Sequence, residues 1–119
     1  MSRPKYDVRL LRIAENDLAD IVAYVAAERP SAASGQMAKI EKSLGLLKNN
    51  PYLGKLPNDA HLIELGYRCL IIEDYLAFYT VEGRKVFVHR IIHGARATTL
   101  SSDLRASHLM IHYPGITDK

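Results

Sequence analysis

The chain has a single cysteine, Cys69, among its 119 residues, so it cannot close an intrachain disulfide. It carries no CxxC pair and no Cys/His cluster at metal-binding spacing, which sets aside zinc-ribbon and dithiol redox chemistry. Cys69 stands in the apolar run Cys69-Leu70-Ile71-Ile72 and reads as a small buried hydrophobe. A reducing, intracellular compartment is the simplest expectation. No apolar run approaches the ~18 residues of a membrane span. The basic start, Met1-Ser2-Arg3-Pro4-Lys5, leads into no uninterrupted apolar segment. Arg9, Arg12, Glu15 and Asp17 come too early for a signal peptide, so a cytoplasmic location is expected. Internal repeats and low-complexity stretches are also missing.

Excess charge of one sign is small, at +3, with a sequence pI near 9.1. Such mild basicity suits an acidic partner, either nucleic acid or an acidic protein segment, and the placement of the charges matters more than their sum. With 48% hydrophobic and 24% charged residues, the composition is that of a globular domain rather than a disordered chain. One core is feasible at this length, with roughly two-thirds of the unfolded surface buried.

What is present is a clear succession of periodicities. Tyr6 to Ile13 alternates, with Tyr6, Val8 and Leu10 against Asp7 and Arg9, and predicts a first strand. Ala14, Leu18, Ile21, Val22 and Val25 then form a helical stripe, with Glu15, Asp17 and Asp20 off it near the positive helix end. Pro30 stops this helix. Ser31 is placed to cap a second helix, whose apolar face is Ala33, Met37, Ile40, Leu44 and Leu47 and whose wet face carries Lys39, Lys42 and Lys48. Asn49-Asn50-Pro51 ends it. The short link predicts an antiparallel helical hairpin. A loop over residues 51–60 leads to strand candidates at about His61–Leu65, Tyr67–Glu73, Tyr75–Val81 and Lys85–Ile92, with Gly66, Glu73-Asp74 and Glu82-Gly83 at the turns. A thin stripe around Leu100 and Leu104 reads as a C-terminal helix or tail. The expected class is α+β: an N-terminal strand, then a helical hairpin packed on one face of a mostly antiparallel sheet. Whether the first strand runs parallel or antiparallel is left open by the sequence.

Several segments resemble the RelE/ParE superfamily of type II toxins. Ala14 to Val25, AENDLADIVAYV, resembles the opening A-x-x-D-L-x-x-I-x-x-Y helix. Leu47 to Gly54 resembles its L-x-x-x-P-x-x-G. Gly66-Tyr67-Arg68 and Tyr75-Leu76-Ala77-Phe78-Tyr79 resemble its G-Y-R and Y-x-x-F/I-Y strands, and Val88 to Arg96, VHRIIHGAR, its R-[IV]-[IL]-H-G-x-R ending. The matches run in order from about Tyr6 to Arg96. Residues 1–96 are thus expected to form the toxin domain, with 97–119 a helix or tail of separate role.

The resemblance implies growth inhibition relieved by a cognate antitoxin of ParD or RelB type, whose segment folds on binding. Contact with operator DNA would then be indirect, through the antitoxin. It leaves open whether the target is DNA gyrase, as for ParE-like toxins, or the ribosome and its mRNA, as for RelE-like endoribonucleases, or whether the chain is a non-toxic partner of an antitoxin. RNA cleavage by a ribose 2′-hydroxyl would need a base, an acid and cations for the developing charge. Arg68, Arg90, His93 and Arg96 are the candidates for that chemistry, and equally for a target- or antitoxin-binding surface. His93 between two arginines is biased toward a neutral, basic imidazole. The bland alternative pairs Arg68 and Arg90 with Glu64 or Glu73 and makes His93 a turn residue. The H-G-x-R ending, with Gly94 where YoeB-like toxins place a tyrosine and with no clustered lysines on the strands, favours the ParE-like side. Tyr24, Tyr67, Tyr75 and Tyr79 are expected to pack the core or its rim, with hydroxyls reaching water. His108 and His112 stand at i, i+4 but lack a third ligand, so no metal or cofactor is expected.

Overall fold

In the computed structural model the described residues are 5–94 and Leu104. Chain order is β1 (Asp7–Leu10), α1 (Arg12–Glu28), a 3-10 turn (Pro30–Ala32), α2 (Ala33–Gly45), a second 3-10 turn (Leu46–Lys48), α3 (Ala60–Glu64), β2 (Arg68–Ile72), β3 (Tyr75–Glu82) and β4 (Lys85–His93). The sheet order is β1-β4-β3-β2. β1 pairs parallel with β4, which resolves the orientation that the sequence left open. The other two pairings are antiparallel.

The helical hairpin covers one face. Ala14, Leu18, Ile40, Leu44 and Leu47 pack there against Leu70, Ile72, Ala77, Tyr79, Val86, Val88 and Ile91. A second cluster, with Leu62, Tyr67, Cys69, Phe78, Ile92 and Leu104, buries what that face leaves over. Leu104 is therefore packed into the second cluster; the rest of the expected C-terminal helix or tail lies outside the described residues. Among those residues no helix is long and apolar enough to cross a membrane.

A bulge links the two clusters. Tyr79 is opposite Val88, but Phe78 is opposite Arg90, so His89 is the extra residue on β4. The inserted residue turns the alternation over. Val86 and Val88 face the helices, and after the bulge Ile91 does so while Ile92 joins the other cluster. Strict alternation along β4 would put Val86, Val88, Arg90 and Ile92 on one face; the bulge breaks it.

Two local expectations are corrected. The segment read as a strand at His61–Leu65 is α3. Asp59 Oδ1 accepts from the backbone N–H of His61 (2.8 Å) and Leu62 (3.2 Å), an N-cap that decides between periods over so few residues. Gly66, at φ +92, then ends the turn, with Tyr67 N–H donating to Leu62 O at 3.0 Å. Ser31 caps nothing, because it sits inside the 3-10 turn and α2 starts from Ala32 without a side-chain cap.

Candidate functional site

β1 is only four residues long, so β4 runs past it. Asp17, one and a half turns into α1, fills the gap. Its carboxylate accepts the Arg90 guanidinium at 2.7 and 3.0 Å and, at 3.0 Å, the backbone N–H of Ile91. The two side chains are only 15% and 13% exposed. Asp17 thus satisfies an edge donor that has no strand partner there and pairs a nearly buried cation at once. The expected partners of Arg90, Glu64 and Glu73, are not the ones found; Glu73 instead pairs with Lys39 at 3.0 Å on the surface.

Arg68 anchors a different junction. Its Nε donates to Gly54 O at 3.0 Å, and its guanidinium lies 5.5 Å from the Tyr52 ring centroid. Gly54 N–H donates to the Tyr79 hydroxyl at 2.9 Å. Next in the chain, Lys55 exchanges both backbone bonds with Cys69, at 2.9 and 2.8 Å. A Cβ on Gly54 would stand 2.7 Å from Cys69 O and 2.8 Å from the Tyr79 hydroxyl, so only glycine fits. Burial raises the Tyr79 hydroxyl above the usual phenol range, opposed by the Gly54 N–H and by Arg68.

His93 is exposed at the end of β4, edge-on to Tyr75 at 5.5 Å. It pairs in register with Tyr75, whereas Arg68 pairs with Tyr79. Four strand residues separate those rows, about 13 Å. Arg68 and His93 therefore stand in well-separated rows of the sheet, and Arg90 is held by Asp17 in a row between them. Arg96 lies outside the described residues. The expected grouping of cations around one histidine is not assembled among the described residues, nor do three or more His, Cys, Asp or Glu gather there as for a metal.

The histidine with the most elaborate surroundings was not singled out by the sequence. His89 is fully buried at the bulge. Its Nδ1 is 3.0 Å from the Tyr67 hydroxyl and its Nε2 is 2.9 Å from Thr80 Oγ1. The Tyr67 hydroxyl donates to Leu104 O. That single phenolic proton being used, His89 Nδ1–H donates to Tyr67 and Nε2 accepts from Thr80, which fixes the tautomer. Tyr67 and Tyr79 are fully buried with protein-bonded hydroxyls, contrary to the expectation of water, and Tyr24 is 67% exposed rather than packed. Changing Tyr67 to Phe removes its hydroxyl bonds to the Leu104 carbonyl and to His89 Nδ1. A loss of about 2 kcal/mol is expected in urea unfolding, with unchanged cooperativity.

Cys69 is buried, as the sequence predicted. Burial pushes its thiol up to about 11, against the weaker opposing pull of Lys55. The thiolate fraction at pH 8 is then about 100-fold below that of a thiol near 9, and iodoacetamide should react more slowly by at least that factor. The unfolded chain releases this proton first, so the thiol's contribution to stability is complete below pH 9 and declines as pH rises toward 11. A folded-state alkylation rate equal to that of the denatured chain at pH 8 contradicts this.

β2 is an open edge of the sheet. Among the described residues Lys55 covers it only at Cys69, and period two turns the N–H and C=O of Ile71 the same way. Beside this edge a groove of about 360 Å³ is lined by Ser43, Leu46, Leu53, Lys55, Leu70 and Ile71. Leu46, Leu53 and Ile71 are 53%, 43% and 51% exposed, an apolar strip at an unpaired strand. Lys55 gives the groove a positive charge.

This arrangement is that of a small α+β domain with a helical hairpin on a four-stranded mixed sheet. The fold resembles the solved chromosomal ParDE TA system from P. aeruginosa, with a TM-score of 0.65 and 21% sequence identity, covering 76% of this chain and 98% of that one. At that identity the likeness is one of fold, and no curated protein matches significantly. Residues 8–98 match the ParE toxin of the type II toxin–antitoxin system, parDE. The chain belongs to that family.

Proposed function

We propose that the chain is a growth-inhibiting toxin that acts in the cytoplasm by binding and poisoning DNA gyrase, and that a cognate antitoxin of ParD type neutralises it. The observation that carries this reading is the dispersal of the candidate nuclease groups. Cutting RNA requires a base, an acid and cations around one phosphate. Here Arg90 is committed to Asp17 and Arg68 to the Gly54 carbonyl, and His93 stands about 13 Å along the strands from the Arg68 row. Arg68, His93 and Arg96 then serve as surface contacts, whereas Arg90 holds the strand that presents His93.

The groove beside β2 suits the antitoxin. An extended segment could continue the Lys55 pairing at Ile71, lay apolar side chains on Leu46 and Leu53, and offer a carboxylate to Lys55. The test is induced expression of the chain alone and together with the neighbouring antitoxin gene, following plasmid supercoiling and message integrity in the same cultures. Lost supercoiling with intact messages, reversed by co-expression, is expected. Cleaved messages with normal supercoiling overturn the gyrase reading.

A further inference from the structure

A second feature lies at the opposite edge of the sheet, on the β1 side. Three segments meet there: the residues entering β1, the Leu46–Lys48 turn, and the β3–β4 hairpin turn. Backbone bonds fix them together. Lys5 N–H and Tyr6 N–H both donate to Lys48 O, at 3.1 and 3.0 Å, and Asp7 N–H donates to Arg84 O at 2.9 Å. Gly83, at φ +61, makes the tight turn that brings Arg84 and Lys85 to the same place. The result is a depression of about 510 Å³ lined by Lys5, Tyr6, Asp7, Lys48, Arg84 and Lys85.

All four cations are exposed, and none is ion-paired with a carboxylate among the described residues. Asp7, the lone carboxylate of the depression, is already bonded to Arg9 at 2.8 Å. Lys39 and Arg90 hold carboxylates elsewhere, whereas the four cations of the depression stand together with Asp7, already shared with Arg9, as its one carboxylate. Gathering them costs folding free energy through mutual repulsion, and an anionic ligand removes that cost.

We propose that this corner binds the phosphodiester backbone of duplex DNA without reading its sequence. The site is a shallow, exposed surface, fitting a linear polyanion rather than an enclosed small molecule. Single-stranded nucleic acid would require rings for its bases to stack on. Tyr6 is the one aromatic residue of the depression, and it packs against the main core. Because β1 and β2 are opposite edges, an antitoxin in the β2 groove leaves the corner accessible. The inference does not depend on which target the toxin poisons.

The test is fluorescence anisotropy of the purified chain with a labelled mixed-sequence DNA duplex over a salt series. The triple variant Lys48→Gln, Arg84→Gln, Lys85→Gln is compared with an equal charge change elsewhere, Arg12→Gln, Arg29→Gln, Lys42→Gln. All six side chains are exposed, and unchanged melting temperatures establish that both variants fold. The log–log salt slope of the corner variant should flatten by about 2.7, at roughly 0.9 per phosphate contact, and low-salt affinity should fall more than tenfold. The control variant should keep the slope of the unmodified chain. No duplex binding at low salt, an equal loss in both variants, or tighter binding of single-stranded DNA or RNA than of duplex overturns the proposal.

Discussion

Replacing Asp17 with alanine should lower the unfolding free energy by about 3 kcal/mol, the scale of breaking a largely buried ion pair. The reason is geometric. One carboxylate bonds two nitrogens of the Arg90 guanidinium and the Ile91 N–H, so its loss removes three bonds at once from a nearly buried cation and an edge donor. Arg90→Met should cost less, because it leaves Asp17 bonded to Ile91. The double variant should cost clearly less than the sum, since the two share one interaction. Urea unfolding of the four proteins measures all of this. A cost under about 1 kcal/mol for Asp17→Ala, or strict additivity, contradicts the clamp.

Gly54→Ala should be of similar size, about 3 kcal/mol, for a different reason. The new methyl would meet Cys69 O at 2.7 Å and the Tyr79 hydroxyl at 2.8 Å. One neighbour is backbone and the other a fully buried ring, so neither yields cheaply. Relief by moving the loop breaks the Lys55–Cys69 pair and the Arg68 bond to Gly54 O. Trimming the obstacle tests the cause: Tyr79→Phe alone removes a hydrogen bond, yet in the Gly54→Ala background it should recover part of the loss. No recovery would place the clash wholly on the Cys69 carbonyl.

These two positions also show what the sequence makes legible. Asp17 and Gly54 both stand in the motifs that carry the family resemblance, so their importance was visible while their mechanism was not. The Asp17–Arg90 pair joins residues 73 apart, and no periodicity reports a contact across that separation. The helical hairpin, the β2–β3–β4 meander and the burial of Cys69 were readable because each rests on local period and turn chemistry. α3 was misread because five residues support either period and the deciding Asp59 cap lies just before them. The bulge at His89 was invisible for a related reason. One inserted residue reverses the alternation of every later side chain, and that reversal gathers His89, Tyr67, Thr80 and Leu104 into a buried network. Arg68, Arg90 and His93 lie apart because strand register separates residues that the linear order brings close.

Whether the proposed toxin acts by binding rather than by cutting RNA is decided by adding the purified chain to purified gyrase and relaxed plasmid, with no ribosome or RNA present. Dose-dependent loss of supercoiling, relieved by the cognate antitoxin, is expected. Undisturbed supercoiling at a concentration that cleaves messages in a translating extract would contradict it and would require His93 and Arg68 to be brought together by the ribosome.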